Sequence, residues 1–411
     1  MNEQNKKVPT IRFKGFTDDW EQRKLENIGK IVTGNTPSKK NKQYYLNGKL
    51  PFVSPIDINN NRYIEHTQSH VTELGFEHGR KLPKNTVLFV CIGSTIGKVA
   101  QLIQSAITNQ QINSIVVSKK YKSDFIYSEL YKLSDEIKLL ASNQAVPIIN
   151  KKTFGNIQIN VTNIDEQEKV GKLFKYLDKA ITLHQRKLVL LKQLKKGLLQ
   201  KMFADKDSKR PFLRFNGFTD DWEQRKFGNI SKTKRGLTYK PTDISSTGIR
   251  VLRSSNIKKD TFIFSDDDVF VKESAINIPF VENGDILITA ANGSTNLVGK
   301  HAIIRDIPKN SAVHGGFMLI TTSKEYEFLN ALMSSNWYKK FIKKYVAGGN
   351  GAIGNLRKND LDNQKIYVPK KDEQEQIGEF FKQLDSLIVL HQRKQNHLKL
   401  LKKSLLQQMF M

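Results

Sequence analysis

One stretch of this chain occurs twice. Residues 11–24 read IRFKGFTDDWEQRK, and residues 213–226 read LRFNGFTDDWEQRK. A second repeat lies further along, because residues 165–171 (DEQEKVG) return as residues 372–378 (DEQEQIG). The two halves of the chain therefore have the same order of segments but divergent interiors. Duplicated frames with different contents indicate one scaffold that presents two different recognition surfaces.

A long helix is predicted at the end of each half. Apolar residues recur every three or four positions from Val170 to Met202, and the copy repeats this spacing from Ile377 to Met409. A narrow apolar stripe over several heptads is typical of a coiled coil. The predicted seams comprise Val170, Leu173, Leu177, Ile181, Leu188, Leu191, Leu194, Leu198 and Met202, and Ile377, Phe380, Leu384, Ile388, Leu398, Leu401, Leu405 and Met409. Two matching seams in one chain most simply pack against each other; a seam on a partner subunit is the alternative.

The start of each predicted helix is acidic. Asp165 with Glu168, and Asp372 with Glu375, form Asp-x-x-Glu patterns that resemble a capping box. Acidic residues in the first turn and lysines in later turns also suit the helix dipole. Each helix is expected to be about 60 Å long at about 1.5 Å per residue.

A histidine interrupts each predicted seam at the same place. His184 and His391 begin identical His-Gln-Arg-Lys runs, and each lies at the midpoint of its helix. If the two helices pack antiparallel, their midpoints cross and the two histidines lie side by side. The same arrangement would place one globule at each end of the helix pair. Two unrelated surface histidines are the alternative.

The segments before the helices predict mixed α/β globules. Short apolar stretches there are separated by Gly, Pro, Asn and Ser, and a polar connector at residues 204–211 ends in the helix-breaking Pro211. The predicted domains are a first globule at 1–162, a central helix at 163–204, a linker at 205–212, a second globule at 213–370 and a C-terminal helix at 371–411. Strands are predicted at 50–53, 87–90, 249–252 and 286–288, and helices at 125–141 and 326–345.

The composition favours a polyanionic partner. Lys and Arg total 67 against 40 for Asp and Glu, so the formal net charge is +27, and release of counterions drives such a protein onto nucleic acid. A basic protein that is merely kept soluble by its charge is the alternative. Cys91 is the only cysteine, which excludes a disulfide framework and a cysteine zinc cluster. The polar, basic start and the lack of a long apolar run predict a cytoplasmic protein without a membrane span.

Short motifs in the first globule carry a family resemblance. They read GNTPS at residues 34–38, FVSPIDI at 52–58, GSTIGK at 93–98 and TNQ at 108–110. With the Asp-Glu-Gln-Glu helix starts, their order resembles the target-recognition domains and conserved regions of DNA-specificity subunits of type I restriction–modification systems. The second globule departs from this pattern, because its GSTNLVGK turn at residues 293–300 is longer and no Thr-Asn-Gln follows.

The resemblance implies a division of labour between this chain and its partners. Each globule would read one half of a bipartite site in double-stranded DNA, and the helices would act as a ruler and dock two methyltransferase (modification) subunits. Those subunits bind S-adenosylmethionine and methylate adenine. Restriction/translocase subunits, which use ATP and magnesium, would join the full complex. This chain would carry no cofactor and no catalytic activity.

The sequence independently lacks the motifs of those activities. An adenine methyltransferase needs an Asn/Asp-Pro-Pro-aromatic loop, and no two of the eleven prolines are adjacent. A phosphate-binding loop needs Gly-x4-Gly-Lys followed by Ser or Thr, whereas the turn at residues 93–98 is misspaced and followed by Val99. Two alternatives to a DNA-reading subunit remain: a self-contained restriction–modification enzyme, and a scaffold that binds RNA or membrane headgroups through charge alone.

Candidate DNA-binding residues are polar side chains in loops that follow predicted strands, because such loops can enter a groove while the sheet holds them. The candidates are Lys39, Lys40, Asn60, Arg62, Ser94, Thr95, Gln110 and Gln144 in the first globule, and Arg253, Ser255, Asn256, Lys258, Asn292, Ser294, Asn296, Asn350 and Arg357 in the second. A solvated loop or a phosphate contact is the competing interpretation of each. Trp20 and Trp222 are expected to pack in the core.

Overall fold

The chain divides into two units. The computed structural model describes residues 8–59, 61–141, 147–204, 208–346 and 354–411. Unit 1 comprises Met1–Lys187 and His391–Met411, and unit 2 comprises Leu188–Leu390. Each of the two long helices therefore contributes one half to each unit.

Unit 1 is a mixed α/β globule with part of both long helices. One sheet has five strands in the order β2-β9-β6-β7-β4, a second has the order β5-β3-β8, and β1 pairs with β10. Its elements are β1 Glu21–Lys24, α1 Leu25–Ile28, β2 Gly29–Thr33, β3 Leu50–Val53, β4 Tyr63–Ile64, β5 Ser69–Val71, α2 Glu73–Glu77, β6 Val87–Val90, β7 Val99–Leu102, β8 Ile107–Thr108, β9 Ile112–Val117, α3 Ser123–Lys132, α4 Ser134–Leu139, α5 Lys151–Asn156, β10 Gln158–Val161 and the long helix α6 Ile164–Lys201.

Unit 2 repeats this order with different details. It contains four-stranded sheets in the orders β12-β22-β18-β20 and β13-β17-β14-β21, and the pairs β11-β24, β15-β16 and β19-β23. Its elements are β11 Glu223–Lys226, α7 Phe227–Ile230, β12 Lys232–Arg235, β13 Ile244–Ser245, β14 Ile249–Leu252, β15 Ile257–Lys258, β16 Thr261–Phe262, β17 Val269–Val271, β18 Ile286–Thr289, β19 Ala291–Asn292, β20 His301–Ile303, β21 Ala312–His314, β22 Met318–Thr322, α8 Tyr326–Ser334, α9 Asn336–Val346, β23 Gly354–Asn355, α10 Lys358–Asp362, β24 Lys365–Val368 and the long helix α11 Lys371–Met409.

The repeated sequence fastens each globule to a long helix. In unit 1, β1 pairs antiparallel with β10, the strand that directly precedes α6, and the guanidinium of Arg12 donates to both carboxylate oxygens of Glu166 at 2.7 and 2.8 Å. In unit 2, β11 pairs with β24 in the same way, and Arg214 holds Glu373 at 2.6 and 2.7 Å. Trp20 and Trp222 are buried in the cores, which confirms the prediction for both.

The predicted strands are all present, but each predicted globule helix is two helices. The helix expected at 125–141 is α3 followed by α4, which meet at Leu133. The helix expected at 326–345 is α8 followed by α9, with the extended Ser335 between them. Apolar periodicity continues across both breaks and does not report a change in helix direction.

The capping-box interpretation is wrong for α6. The side chain of Asn163 accepts from the backbone N–H of Glu166 at 2.9 Å, so the cap lies before Asp165. Glu166 is buried and is held by Arg12. The acidic first turn still complements the helix dipole.

Within unit 1, the first half of α6 and the last half of α11 run antiparallel. Lys402 donates to Asp178 at 2.6 Å, and the Nδ1 atoms of His184 and His391 lie 2.8 Å apart, so contacts move back along α11 as α6 advances. The neighbouring Gln185 accepts a hydrogen bond from Gln395. The predicted side-by-side histidines are therefore confirmed, as is antiparallel packing within the chain.

Within unit 2, the other halves of the helices pair in the same manner. Lys195 donates to Asp385 at 2.5 Å, and the rings of Phe203 and Phe381 lie 5.9 Å apart. Lys195 is the repeat counterpart of Lys402, and Asp385 is that of Asp178, because the two members of each pair lie 207 positions apart in the sequence.

The seam prediction is wrong at Leu194 and Leu401, which are exposed. Each leucine is followed by a lysine that turns inward instead, because Lys195 and Lys402 meet the facing aspartates. Most other seam residues are buried or partly buried in the cores of their own units. The fold is thus mixed α/β, with two globules and an intramolecular antiparallel helix pairing.

Candidate nucleic-acid interface

In unit 1, three loops meet at one edge of the sheets. Gly34, at the end of β2, lies so close to the β8–β9 turn that a Cβ there would fall 2.1 Å from the carbonyl oxygen of Asn109. The backbone N–H of Cys91, directly after β6, donates to the carbonyl of Gln111 at 2.8 Å. The ends of β2, β6 and β8 are therefore held together by backbone contacts, and glycine is required for the closest one.

These loops border a cleft of about 870 Å³. Of the predicted residues, Lys39 and Gln110 line it, and Lys40 is exposed on the same loop. The hydroxyl of Thr36 donates to Oε1 of Gln110 at 2.7 Å, so the Gln110 amide NH₂ remains free to donate. The lining residues are Thr36, Lys39, Lys42, Tyr45, Leu46, Asn47, Phe52, Ser54, Ser69, Asn109, Gln110 and Gln111. Cations and amides without a lining carboxylate suit an anionic, hydrogen-bonding ligand.

The turn that carries Ser94 and Thr95 borders the same edge. Gly93 and Gly97 adopt positive φ values of 94° and 92°, which identifies a tight turn rather than a phosphate-binding loop. A Cβ on Gly93 would lie 3.5 Å from the amide nitrogen of Gln111. Ser94 is exposed and Thr95 is half-buried, so both remain candidates.

Arg62 does not belong to this surface, and its prediction is corrected. The side chain is buried, and its guanidinium donates to Asp178 at 3.1 Å, to Gln101 at 3.1 Å and to the carbonyl of Asp124 at 2.5 Å. Its charge also lies 4.2 Å from the ring centre of Tyr127. A buried cation with these partners holds the core together and cannot reach DNA.

Unit 2 assembles its loops in the same way with different residues. A Cβ on Gly236 would fall 2.0 Å from the carbonyl oxygen of Gly315, which repeats the approach of Gly34 to Asn109. The carbonyl of Phe317 accepts from the backbone N–H of Ala290 at 2.9 Å and of Ala291 at 3.0 Å. Burial lowers the pKa of the adjacent His314 to about 4, so this histidine supplies no cation at neutral pH.

Four of the predicted residues of unit 2 are exposed, and others are partly buried near these loops. Asn292, in β19, donates to the hydroxyl of Ser254 at 3.1 Å and accepts from the backbone N–H of Ser294 at 2.9 Å. Arg253 is half-buried, and its guanidinium is engaged by the carbonyl and carboxylate of Asp267. The exposed predicted residues are Lys258, Ser294, Asn296 and Arg357.

Asn256 is a second correction. It is fully buried, accepts from the backbone N–H of Arg253 at 2.7 Å, and donates to Ile263 and Asp268 at 3.0 and 2.7 Å. Its side chain therefore shapes the loop. The hydroxyl of Ser255 is also buried, which leaves it without access to a groove in this conformation. The predicted Asn60, Gln144 and Asn350 lie outside the described residues.

Sequence reasoning missed several residues at these edges. In unit 1, Lys42, Tyr45 and Asn47 line the cleft. Their clue is a basic run interleaved with tyrosines, a pattern typical of nucleic-acid surfaces. In unit 2, Phe317 is 75% exposed at the position that Gln111 occupies in unit 1. Its clue is the Gly-Gly pair directly before it.

No cluster of three His, Cys, Asp or Glu side chains suited to a metal ion occurs in the described parts of the chain. Burial raises the pKa of the Cys91 thiol to about 12, so it is protonated and inert at neutral pH. Among the helices that are described, none has the length and apolar character needed to cross a bilayer.

Two loop-bearing α/β units joined through paired helices define a duplicated recognition protein. The family described as "Type I restriction modification DNA specificity domain" matches residues 17–193 and 219–400. The chain therefore belongs to the type I restriction–modification DNA specificity family. It is a DNA-recognition subunit and not an enzyme.

Relatives span almost the whole chain. The MjaVIII specificity subunit of Methanocaldococcus jannaschii is 22% identical over 404 residues, which cover 95% of this chain and 91% of the relative. The MjaIX specificity subunit of the same organism is 24% identical, with 94% and 92% covered. The crystal structure of a type I restriction–modification S subunit from M. genitalium has a similar fold, with a TM-score of 0.69, 16% identity, and 98% and 99% of the two chains covered.

Proposed function

We propose that each unit reads one half of a bipartite site in double-stranded DNA. The observation that carries this proposal is a difference within a shared frame. The loop that follows β8 in unit 1 reads Asn109-Gln110-Gln111, whereas the equivalent loop after β21 in unit 2 reads Gly315-Gly316-Phe317. Because the backbone contacts around both loops are similar but the side chains differ, the two units are suited to different base sequences.

In unit 1, the cleft chemistry suits a nucleic acid, which presents both phosphates and base edges. Lys39, Lys40 and Lys42 supply cations for phosphates. The Gln110 amide, with its oxygen engaged by Thr36, offers its NH₂ group as a directed donor to an acceptor on a base edge.

In unit 2, the proposed readers lie around β15, β19 and β23. The exposed Asn296 offers its amide to a base edge, and the exposed Lys258 and Arg357 offer cations to phosphates. Asn292 is half-buried and reads a base if DNA displaces its contact with Ser254. Arg253 joins them if DNA displaces Asp267, because a guanidinium pairs with the two acceptors of guanine.

The outer faces of the helices are suited to two copies of one partner. Leu183 and Leu401 are exposed in unit 1, and their repeat counterparts Leu390 and Leu194 are exposed in unit 2. Exposed leucines therefore recur at equivalent positions of the two units, and an apolar surface that occurs twice suits two copies of one partner. We assign these leucines to contacts with two methyltransferase subunits.

The remaining chemistry belongs to those partners. S-adenosylmethionine binds the methyltransferase subunits, while ATP and magnesium serve the restriction/translocase subunits. The complex acts in the cytoplasm, where it meets chromosomal and incoming DNA.

A domain exchange tests the proposal. The full chain is reconstituted with its methyltransferase subunits, and its target is obtained by binding-site selection. Replacing residues 1–162 with the equivalent domain of a relative is expected to change one half-site only. Replacing residues 213–370 is the matched control and should change the other half-site. If either exchange alters both half-sites, the two units do not read independently.

A further inference from the structure

Phe317 exposes a large apolar side chain at the candidate interface of unit 2. The side chain is 75% exposed, in the three-residue turn between β21 and β22. Most large apolar side chains of the unit are instead buried in its cores. Leaving a phenylalanine in water forgoes roughly 1.5–3 kcal/mol of burial energy, so a ligand that covers the ring would recover it.

The backbone beneath Phe317 is held firmly. Its carbonyl accepts from the N–H groups of Ala290 and Ala291, and the N–H of Met318 donates to Gly315 at 2.8 Å. The N–H of Gly315 in turn donates to Leu252 at 2.9 Å. The turn is therefore fastened to β14 and to the segment between the end of β18 and the start of β19, and the exposed ring projects from a fixed backbone.

Polar candidates for base contact lie on the backbone segments next to Phe317. Asn292 directly follows Ala291, whose N–H binds the Phe317 carbonyl. On the other side, a Cβ on Gly315 would lie 3.9 Å from Cγ of Arg253. In unit 1 the equivalent position holds Gln111, whose carbonyl accepts from Cys91 in the same way. Phe317 is thus the apolar member of a set of side chains positioned for groove contact.

We propose that Phe317 packs against the 5-methyl group of a thymine in the half-site read by unit 2, an inference that rests on the proposed function. The thymine methyl is the apolar group that DNA presents on its major-groove edge, and phenylalanine is among the side chains that contact it. Insertion of the ring between bases would require unstacking. A short turn fastened at both ends is poorly suited to enter the base stack.

The test uses DNA that lacks single methyl groups. Each thymine of the selected second half-site is replaced in turn by deoxyuridine, and the affinity of the reconstituted complex is measured for the wild type and for Phe317→Ala. One replacement is expected to weaken wild-type binding by about fourfold, the equivalent of roughly 0.8 kcal/mol for one buried methyl group. The same replacement should leave the affinity of Phe317→Ala unchanged.

Phe212→Ala is the matched control. Phe212 is 86% exposed and belongs to the linker between the two repeats. Its ring lies against Lys201, and in the sequence it is far from the loops proposed to read DNA. This variant should keep the full sensitivity to deoxyuridine. Both substitutions remove an exposed ring, so neither is expected to disturb the core.

The outcomes separate two failures. A wild type that is insensitive to every deoxyuridine, a half-site without thymine, or a Phe317→Ala variant that keeps the sensitivity would overturn the thymine contact while leaving sequence reading intact. If the wild-type complex selects no sequence in the second half-site, it is the proposed function of unit 2 that fails.

Discussion

Replacing Asp178 with Asn is expected to loosen the C-terminal half of α11 from the rest of unit 1. Asp178 is the carboxylate that Lys402 contacts among the described residues, at 2.6 Å, and it also accepts from Arg62 at 3.1 Å. The three side chains are only 10%, 9% and 1% exposed, respectively. Burial lowers the pKa of Lys402, and the charge of Asp178 opposes that shift.

The expected loss of stability depends on which of the two cations, Arg62 or Lys402, is left without a partner. Arg62 keeps Gln101 and Asp124, whereas Lys402 keeps only the face of the Tyr131 ring at 3.9 Å among the contacts described. Removing one member of a buried ion pair costs about 3–5 kcal/mol because the other charge stays buried. Since asparagine preserves the shape of the site and Arg62 remains satisfied, we expect a loss of about 3 kcal/mol.

The repeat supplies a matched control. Asp385 pairs with Lys195 at the equivalent position of unit 2, but these side chains are 41% and 20% exposed. Water therefore screens the pair, and Asp385→Asn should cost less than about 1 kcal/mol. A second substitution, Lys402→Met, should restore most of the stability of Asp178→Asn, because it removes the unpaired buried charge and keeps the apolar stem.

Hydrogen exchange measures these effects region by region, which matters because two units need not unfold as one. Amides in residues 391–411 should exchange about 100-fold faster in Asp178→Asn, the equivalent of about 3 kcal/mol. Equal effects of Asp178→Asn and Asp385→Asn, or no recovery in the Lys402→Met double variant, would show that burial of the ion pair does not set its contribution.

Four further predictions concern pH, salt and specificity. Burial raises the pKa of Glu129 from 4.5 to about 8, so its contribution to stability is fully present below pH 4.5 and is lost progressively as the pH rises from there through 8. At about 1.4 kcal/mol per pKa unit, Glu129→Gln should be roughly 5 kcal/mol more stable than the wild type at pH 9, measured by denaturant titration. Burial, His391 and nearby lysines lower the pKa of His184, so the helix pairing in unit 1 should weaken as the pH falls below 6.5. His184→Gln should remove this pH dependence, measured by hydrogen exchange in the paired helices. Pairing in the wild type that does not change with pH would contradict this prediction. DNA affinity should fall steeply as the salt concentration rises. If Arg253 reads a base, Arg253→Ala should relax the sequence preference in one half-site. Uniform weakening across all sequences would instead make Arg253 a phosphate contact.

Much of the architecture follows from the sequence itself. The repeated segments predict two units of the same order, and the buried Trp20 and Trp222 and the paired β1–β10 and β11–β24 strands agree with that prediction. The crossing of His184 and His391 also follows, because equal helices packed antiparallel must meet at their midpoints. These features depend on the spacing of apolar residues and on internal repetition, and both can be seen in a single sequence.

The roles of polar side chains were decided by tertiary structure. A loop arginine such as Arg62 looks available for DNA until Asp178, 116 residues away, is placed beside it. Asn256 also looks available in the sequence but is buried in the structure. On α11, Lys402 is buried against Asp178, whereas the predicted seam residue Leu401 is exposed. Whether a polar group faces water or a buried partner is a long-range property, because the cost of burial depends on which partner the fold delivers.

The exposure of Phe317 is the reverse case. Its apolar side chain would be assigned to a core by composition alone, yet the strand pairing fixes its backbone and directs its ring outward. The duplicated frame and the paired helices can be derived from the order of the amino acids, because periodicity and repetition are visible in it. Which side chains face outward at the loops depends on the folded chain, because exposure is set by contacts between residues far apart in the sequence.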